Sequence, residues 1–297
     1  MFAEQNRRER ELKMKIGIDS YCFHRYFGEV YPNQEDPGKR MTYEDFLRRA
    51  IELGVDGVSL ETCFFESTDE SYLKKLRALI DQSNFEVVVA WGHPEGLEYG
   101  ESEAAVEDML GHFRTCEILG ASVLRICGSP PGPPQEPHQP LIDRIAQVMK
   151  EQVKKAEDKG IKFAMENHYD FTCDEMLNIF EQVGSDYLGM TYDTGNALRI
   201  GDEPVKAVKK MAKHIHATHT KDIAPVYGAD PQDWDFFSSV PVGDGVIDMP
   251  ALIKTLIGEG YEGLFAIEID RLHPDYEDED PALAKSVEYL KKLRETL

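Results

Sequence analysis

Four short apolar runs along this 297-residue chain each carry, at or near the C-terminal end, a side chain that could bind a metal ion. Three of these side chains are carboxylates and the fourth is an imidazole. Three carboxylates close together in a dry pocket would repel one another unless a cation neutralised them. An oxygen-rich set with one imidazole suits Mn²⁺, Mg²⁺ or Co²⁺, with Zn²⁺ as a further option. The residues and their runs are Glu166 in "KFAMEN" (162–167), Asp193 in "LGMTYD" (188–193), His219 in "IHATH" (215–219) and Glu268 in "LFAIEID" (264–270).

Alternation along a β-strand predicts that all four side chains face the same way. Residues two apart in a strand share a face, so Glu166 lies with Ala164, while Phe163 and Met165 point to the other side. The same arrangement, a small residue below a polar one, recurs in Thr191 and Asp193, Ala217 and His219, and Ala266 and Glu268. Any one of these residues alone could form an ion pair or be a satisfied polar residue. Together the four predict one divalent metal site.

The stretch "HIHATHTKD" (214–222) holds three histidines, of which one fits this pattern. His219 lies at the C-terminal end of its strand, on the inward face. His216 points to the opposite face, and His214 lies at the other end of the strand. We therefore expect His219 to be the ligand, and His214 and His216 to have structural roles.

Eight strand-like runs alternate with amphipathic helical segments along the chain. Besides the four above, they are "KIGIDSYCF" (15–23), "GVSLE" (57–61), "EVVVAW" (86–91) and "SVLRIC" (122–127). Helical patterns such as 42–54 and 141–160 lie between them and end at glycine, as helices often do. This alternation implies parallel strands with right-handed crossovers. Eight units predict a single-domain α/β fold, a (β/α)8 TIM barrel over residues 14–297, with a doubly wound sheet as the alternative.

Composition excludes several classes of protein. Residues 1–13 are charged and lack the apolar core of a secretory signal, so we expect a flexible N-terminal extension. No apolar run approaches the roughly 18 residues of a membrane span. Five scattered cysteines without a C-x-x-C pair fit a reduced, cytoplasmic protein. A net charge of -22 argues against nucleic-acid binding. We expect a small-molecule ligand and no membrane partner, and a homo-oligomer stays open.

Three long loops are expected at the C-terminal mouth of the barrel, where barrel enzymes place their sites. They comprise residues 24–41, 128–140 and 223–247. The third carries aromatic residues that could either wall a pocket or pack on the barrel surface. These are Tyr227, Trp234, Phe236 and Phe237.

Three further polar residues on inward faces allow more than one interpretation. His168 could hydrogen-bond a substrate, hold a ligand in place, cap a helix or simply be buried. Lys221 could steady a substrate oxygen or form a salt bridge to Asp193 or Asp222. For Arg125, an internal ion pair is favoured over an anion anchor.

Four motifs, in this order, resemble the metal-binding strands of the xylose isomerase-like barrel superfamily: "MENH" (165–168), "YDTGN" (192–196), "HTKD" (219–222) and "IEID" (267–270). "PVGDGVID" (241–248) resembles the turn before the seventh helix of these proteins. The superfamily contains sugar and sugar-phosphate isomerases and epimerases, inosose dehydratases and AP-site endonucleases. The resemblance implies one divalent ion, Mn²⁺ first, and proton exchange by the two glutamates. By position, the implied metal ligands are Glu166, Asp193, His219 and Glu268.

Some positions depart from the pattern of these relatives. Asn196 stands where epimerases of this group often have histidine, so the substrate contact there must differ. Ser59 stands where many relatives have glutamate, although Glu61 shares its inward face. His93, in "WGHP", is the one good candidate for the extra histidine ligands of three-metal nucleases, which weakens that interpretation. The substrate-binding candidates are His93, His168, Asn196 and Lys221.

Two hypotheses share this site, and further alternatives differ in class. The first is a divalent-metal-dependent isomerase or epimerase that acts on a keto-sugar or related polyol through a metal-stabilised enediolate. The second is a lyase, either an inosose-type dehydratase or a metal subunit that eliminates the aglycone from a 3-keto-glycoside or C-glycoside. Both begin with loss of a proton beside a carbonyl, so the ligand set is common to them. An AP-site endonuclease and a non-catalytic sugar-binding barrel rank below these two.

Overall fold

A computed structural model of the protein describes residues 14–130, 137–231, 233 and 236–297. The expected N-terminal extension and Trp234 lie outside these residues. Within the described ranges, no helix is long and apolar enough to cross a membrane.

Eight parallel strands close into a barrel, as the sequence pattern predicts. The described residues form these eight and two further strands, which in chain order are β1 (Lys15–Asp19), β2 (Gly57–Glu61), β3 (Glu86–Ala90), β4 (Val123–Cys127), β5 (Lys162–Glu166), β6 (Leu188–Asp193), β7 (Ile215–Thr220), β8 (Asp222–Pro225), β9 (Phe237–Val240) and β10 (Leu264–Ile267). Around the barrel, the order is β1-β10-β7-β6-β5-β4-β3-β2, and β2 returns to β1. The remaining strands, β8 and β9, pair as an antiparallel hairpin. The fold is therefore a (β/α)8 TIM barrel.

Helices connect the strands and surround the barrel. The α-helices span His24–Phe27, Tyr43–Leu53, Glu70–Ser83, Glu103–Gly111, Phe113–Leu119, Gln139–Lys159, Cys173–Val183, Thr194–Arg199, Pro204–Met211, Met249–Gly258 and Glu279–Thr296. Short 3₁₀ helices span Ser20–Phe23, Thr62–Phe64, Glu98–Gly100 and Ala212–His214.

Local sequence signals set the ends of the predicted helices. Thr42 and Asp45 form a capping box at the start of Tyr43–Leu53, and Gly54 ends that helix with a φ of 62°. Glycine adopts a left-handed φ of this kind without strain, and helices therefore often end at glycine.

Apolar side chains pack on both faces of the barrel strands. Large residues on the outward faces of the strands, such as Phe163, Tyr192 and Phe265, are fully buried in the core between barrel and helices. Inside the barrel, a smaller apolar cluster includes Val88 and Leu264. Toward the C-terminal ends of the strands, the interior becomes polar, and this end positions the site.

The main difference from the predicted strands lies at the first one. The run 15–23 was expected to be extended throughout, but β1 ends at Asp19 and a 3₁₀ helix follows. The cause is local, because Asp19 Oδ1 accepts a 2.6 Å hydrogen bond from the Tyr21 N–H and so begins the turn.

Candidate metal centre

The four residues selected by strand alternation meet at the C-terminal mouth of the barrel. Glu166 and Asp193 end β5 and β6, His219 lies in β7, and Glu268 directly follows β10. Each offers one ligand atom, and these four atoms all lie within 4.8 Å of one another. Their side chains are at most 5% exposed. The strands that carry them are consecutive neighbours in the barrel, which is why the residues converge.

The imidazole of His219 faces the three carboxylates. Its Nδ1 lies 3.2 Å from Glu268 Oε2, 3.4 Å from Glu166 Oε2 and 3.9 Å from Asp193 Oδ2. Among the described residues, His219 Nδ1, Asp193 Oδ2 and Glu268 Oε2 are buried without a hydrogen-bond partner. Such orphaned atoms are rare in folded proteins and need an explanation. Potential metal-ligand atoms that lie close together and make no hydrogen bonds to one another fit a bound cation.

Hydrogen bonds from neighbouring residues orient two of the carboxylates. Asp193 Oδ1 caps the helix Thr194–Arg199 by accepting the Asn196 N–H at 2.8 Å, which leaves Oδ2 for the cluster. Asn196 Nδ2 donates to Glu166 Oε1 at 3.1 Å. Arg125 Nε donates to Glu166 Oε2 at 2.5 Å, and Arg125 is 6% exposed. The favoured internal ion pair of Arg125 is therefore confirmed.

Lys221 places a buried positive charge beside the cluster. Its Nζ lies 2.8 Å from both Asp193 Oδ2 and Glu268 Oε2, and 3.1 Å from Asp270 Oδ2. The contacts to Asp193 and Glu268 are at ion-pair distance but lack hydrogen-bonding geometry. Of the two aspartates expected as partners, Lys221 thus pairs with Asp193. Asp222 instead accepts backbone N–H groups of the loop that follows β9.

Burial and repulsion change the protonation of the cluster. Burial raises the pKa of Asp193 to about 7, although the charge of Lys221 opposes this shift. Burial alone would lower the pKa of His219, but the charges of Glu268 and Glu166 raise it well above its usual value. An ion bound here would therefore have to displace protons from His219 and Asp193.

A cavity of about 680 Å³ opens above the cluster. Three of the four substrate-binding candidates, His93, His168 and Lys221, line it. One wall is aromatic and belongs to segments that follow β1 and β2. Its rings are those of Tyr21, Phe27, Tyr31 and Phe64.

Two other side chains at the cavity have shifted protonation. Burial lowers the pKa of His168 to about 4, so the ring is neutral at pH 7, and its buried Nδ1 has no hydrogen-bond partner among the described residues. Burial raises the pKa of Glu61 to about 8, despite Arg125 at 3.6 Å. Glu61 is therefore mostly a neutral acid at pH 7. The neutral His168 ring can accept a hydrogen bond, and the neutral Glu61 acid can donate one.

Asn196 is placed differently from the other substrate-binding candidates. It is fully buried behind Glu166 and is not among the residues that line the cavity. Its amide donates to the Glu166 carboxylate and accepts from Lys221 Nζ at 3.5 Å, so its effect on substrate would pass through these two cavity residues.

The aromatic residues of the 223–247 loop do not line the cavity in the part of the chain that the structure describes. Tyr227 is fully exposed, and Phe236 packs edge to face on Phe237 with ring centroids 5.0 Å apart. The ends of this loop pair as the β8–β9 hairpin, and Arg199 holds the Phe237 carbonyl at 2.7 Å. The 24–41 loop instead contributes Phe27 and Tyr31 to the aromatic wall.

The other two histidines of 214–222 lie outside the cluster, as predicted. His216 Nδ1 is 2.9 Å from the Phe163 carbonyl oxygen. Its ring packs on Gly189, where a Cβ would lie 2.6 Å from the imidazole. His214 stacks on Phe180, with ring centroids 5.8 Å apart.

Asp270 belongs to the site and was not selected from the sequence. Besides Lys221, it accepts hydrogen bonds from Arg199 at 2.6 Å and from Ser239 Oγ at 2.6 Å. It also accepts one from the hydroxyl of Tyr169 at 3.2 Å, a residue with the uncommon φ of 66°. The alternation of the strand could have indicated this residue, because Asp270 follows Glu268 by two residues and so continues the same face.

Asp19 also lies beside the cluster and, like Asp270, was not selected from the sequence. It is fully buried at the end of β1, and its Oδ2 lies 3.6 Å from His219 Nε2. Gly17 precedes it by two residues, so this strand repeats the pattern of a small residue below a carboxylate. The apolar pattern of 15–23 predicts one extended strand, so the strand end at Asp19 is not evident from the sequence.

Comparison with known proteins identifies the family. A family model described as the xylose isomerase-like TIM barrel matches residues 47–293. The chain belongs to this family. It is 24% identical over 304 residues to an inosose dehydratase of Clostridium beijerinckii, and the match covers 95% of both chains.

Solved structures show the same fold. L-ribulose 3-epimerase superposes with a TM-score of 0.71 at 17% identity, over 95% of each chain. The IolI protein with a bound zinc atom gives a TM-score of 0.72 at 16% identity, over 95% of this chain and 99% of that one.

Proposed function

We propose that this protein is a divalent-metal-dependent isomerase or epimerase of a keto-sugar or related polyol. The observation that carries the proposal is the convergence of three buried carboxylates and one imidazole at the floor of a large cavity. The family of the chain, and the similarity of its fold to that of L-ribulose 3-epimerase, support a carbohydrate substrate.

The donor set fits a divalent ion. Glu166, Asp193, His219 and Glu268 would hold it, since their ligand atoms face one point and three of them have no other hydrogen-bond partner among the described residues. When bound, the ion supplies Lewis-acid polarisation of a substrate carbonyl. Mn²⁺ is our first choice for this oxygen-rich set, and Zn²⁺ gains support from the zinc-bound IolI structure.

Two glutamates are positioned to move the proton on the carbon beside that carbonyl. Glu166 and Glu268 border the cavity from β5 and β10, with two barrel strands between them. Burial would raise the pKa of Glu268, but His219 and Lys221 outweigh it and lower the pKa to about 2, so the group is ionised at neutral pH. Removal by one glutamate and return by the other, from a different direction, would invert the carbon. Such acid–base catalysis contributes about 10²- to 10⁴-fold.

Other cavity residues would bind and orient the substrate. His168 offers a neutral imidazole and Lys221 an ammonium group, both close to the ligand carboxylates. His93 lies on the wall contributed by the segment after β3. The carboxylate floor is almost closed to solvent, which strengthens each charge interaction there.

A lyase is the second candidate, and a specific observation favours it. Dehydration removes the same proton, and the hydroxyl on the next carbon leaves as water after it gains a proton. Glu61, a cavity acid with a pKa of about 8, is protonated at neutral pH and could supply that proton. The similarity to the inosose dehydratase of Clostridium beijerinckii supports this alternative.

Solvent-isotope exchange tests the shared step. The Mn²⁺-loaded protein is incubated in D₂O with a panel of keto-sugars and cyclic ketopolyols, and products are analysed by mass spectrometry. We expect deuterium at the carbon beside the carbonyl, and a loss of about 10²-fold or more in Glu166→Gln and Glu268→Gln with metal content measured on the same samples. Turnover without solvent label would point to a hydride shift and remove the acid–base role of the glutamates.

Product mass and one further variant separate the two candidates. An isomerase product keeps the substrate mass apart from the label, whereas a dehydratase product lacks one water. Glu61→Gln should slow elimination strongly and epimerisation little, because inversion needs no acid for a leaving hydroxyl. If the panel shows no exchange and no turnover, both candidates are contradicted and a non-catalytic sugar-binding barrel is favoured.

A further inference from the structure

Asp19 is a fully buried carboxylate on β1, outside the four candidate ligands. Its Oδ1 caps the 3₁₀ helix Ser20–Phe23 through the 2.6 Å bond from the Tyr21 N–H. Its Oδ2 has no hydrogen-bond partner among the described residues. A cap uses one oxygen, so capping explains half of this carboxylate and leaves the other oxygen unexplained.

The imidazole of His219 lies between this oxygen and the ligand carboxylates. Nδ1 faces Glu268 at 3.2 Å, while Nε2 is 3.6 Å from Asp19 Oδ2. Ala266 pairs with His219 in the barrel register, and Gly17 pairs with Ala266. Ala266 on the intervening strand β10 and Gly17 on β1 are small, which leaves space for the ring to reach across toward Asp19.

The contact between Asp19 Oδ2 and His219 Nε2 fits the chemistry of a histidine that binds a metal. Imidazole binds a metal through its unprotonated nitrogen, so the other nitrogen carries the proton. With Nδ1 directed at the cluster, the Nε2–H becomes a donor in a dry interior and requires an acceptor. A ring rotation that shortens the 3.6 Å separation by about half an ångström would complete a hydrogen bond.

We propose that Asp19 is a positioning residue for His219, whose Nε2–H it accepts, so that Nδ1 is the nitrogen directed at the metal ion and left to bind it. The inference rests on the metal site proposed above. Carboxylates behind metal-binding histidines fix the tautomer and the ring orientation and raise the basicity of the ligand. The proposal assigns a role in metal binding to β1, which contributes none of the candidate ligands.

The variant Asp19→Asn separates this role from helix capping. A carboxylate has two acceptor oxygens and can serve Tyr21 and His219 together, whereas an amide has only one. The short Tyr21 bond should keep that oxygen, so the amide N–H₂ would face Nε2–H. Two donors then oppose each other, which favours the tautomer protonated at Nδ1, and that tautomer cannot bind the ion.

A second buried aspartate provides a matched control. Asp222 is 1% exposed and also accepts backbone N–H groups, from Gly243 at 2.9 Å and Gly245 at 3.0 Å. Zinc affinity of the whole protein is measured by competition with a chromophoric chelator. We expect Asp19→Asn to raise the Kd for Zn²⁺ by about 10- to 100-fold and Asp222→Asn to leave it unchanged.

Imidazole NMR supplies a readout that a purely structural role would not move. With ¹⁵N-histidine labelling, the wild-type protein should show a slowly exchanging, hydrogen-bonded Nε2 proton, assigned by its loss in His219→Asn. Asp19→Asn should abolish this signal, and Asp222→Asn should preserve it. The wild-type spectrum is informative even if Asp19→Asn does not fold.

The two measurements distinguish the failure of each idea. An unprotected Nε2 proton in the wild type, or a zinc affinity equal in Asp19→Asn and wild type, would overturn the positioning role. Wild-type protein that binds no metal, yet shows the protected Nε2 proton lost in Asp19→Asn, would contradict the proposed metal-dependent function and leave the Asp19–His219 contact in place.

Discussion

The buried pair of Arg125 and Glu166 allows a quantitative test of the site. Both side chains are at most 7% exposed, and the guanidinium donates to Glu166 Oε2 at 2.5 Å. Arg125→Met keeps most of the side-chain volume and removes the charge. Breaking a buried pair in this way destabilises a protein by about 3–5 kcal/mol, because it leaves an uncompensated charge.

Proton uptake by Glu166 limits this loss and makes it depend on pH. Burial alone would raise the pKa of Glu166, but Arg125 and His219 hold it well below its usual value, so in the wild type the pair stabilises the fold above the unfolded pKa. Without Arg125, Glu166 can become neutral on folding. Protonating a group with an unfolded pKa of about 4.3 costs about 3.7 kcal/mol at pH 7 but only about 1.6 kcal/mol at pH 5.5.

The assay is urea denaturation in the presence of a chelator, followed by circular dichroism at both pH values. We expect the variant to lose about 3–4 kcal/mol of unfolding free energy at pH 7, and about 2 kcal/mol less than that at pH 5.5. Adding Glu166→Gln to Arg125→Met should restore most of the loss, because a neutral amide needs no counter-charge.

An exposed pair serves as the control. Arg144 pairs with Glu101 on the surface, and Arg144→Met should cost less than about 1 kcal/mol at either pH. A loss below about 1 kcal/mol for Arg125→Met at pH 7, or a loss that does not change with pH, would refute the reasoning.

Further predictions concern the metal and the ligand class. Elemental analysis should find about one divalent ion per chain, reduced to background in Asp193→Ala; equal content in alanine variants of all four ligands would rule out the site. His216→Ala should retain the ion, since its Nδ1 bonds the Phe163 carbonyl; loss of metal with the fold intact would place the strand one residue out of register. Because the pKa of His219 is raised, metal binding should release protons and become tighter as the pH rises, as measured by calorimetry in buffers of different ionisation enthalpy. An affinity that does not change between about pH 6 and 8 would contradict this. An abasic DNA duplex should bind weakly; salt-dependent micromolar affinity would contradict the acidic balance.

Period-two alternation made much of the site predictable. It depends only on the geometry of an extended chain, so Glu166, Asp193, His219 and Glu268 could be assigned to one face without knowledge of neighbouring strands. The same alternation separated His219 from His216. The parallel order of the strands then placed these faces at one end of the barrel.

Contacts between distant segments were decided by the tertiary structure. The partner of Arg125 depends on the register of β4 against β5, where Cys127 pairs with Glu166. Among the described residues, the rings of the aromatic wall belong to segments after β1 and β2 rather than to the 223–247 loop, because the path of a loop depends on where its ends are anchored.

The barrel, seven of its strands and the four inward ligand candidates could thus be predicted from local periodicity and chain order, whereas the end of β1 could not. The charges that surround the ligands depend on contacts that no local pattern encodes. Lys221 bridges Asp193, Glu268 and Asp270, and Asp19 reaches His219 across β10. The physical reason is that side-chain pairing and pKa shifts depend on distances of a few ångströms between strands far apart in the chain. Those distances are set by barrel closure and burial.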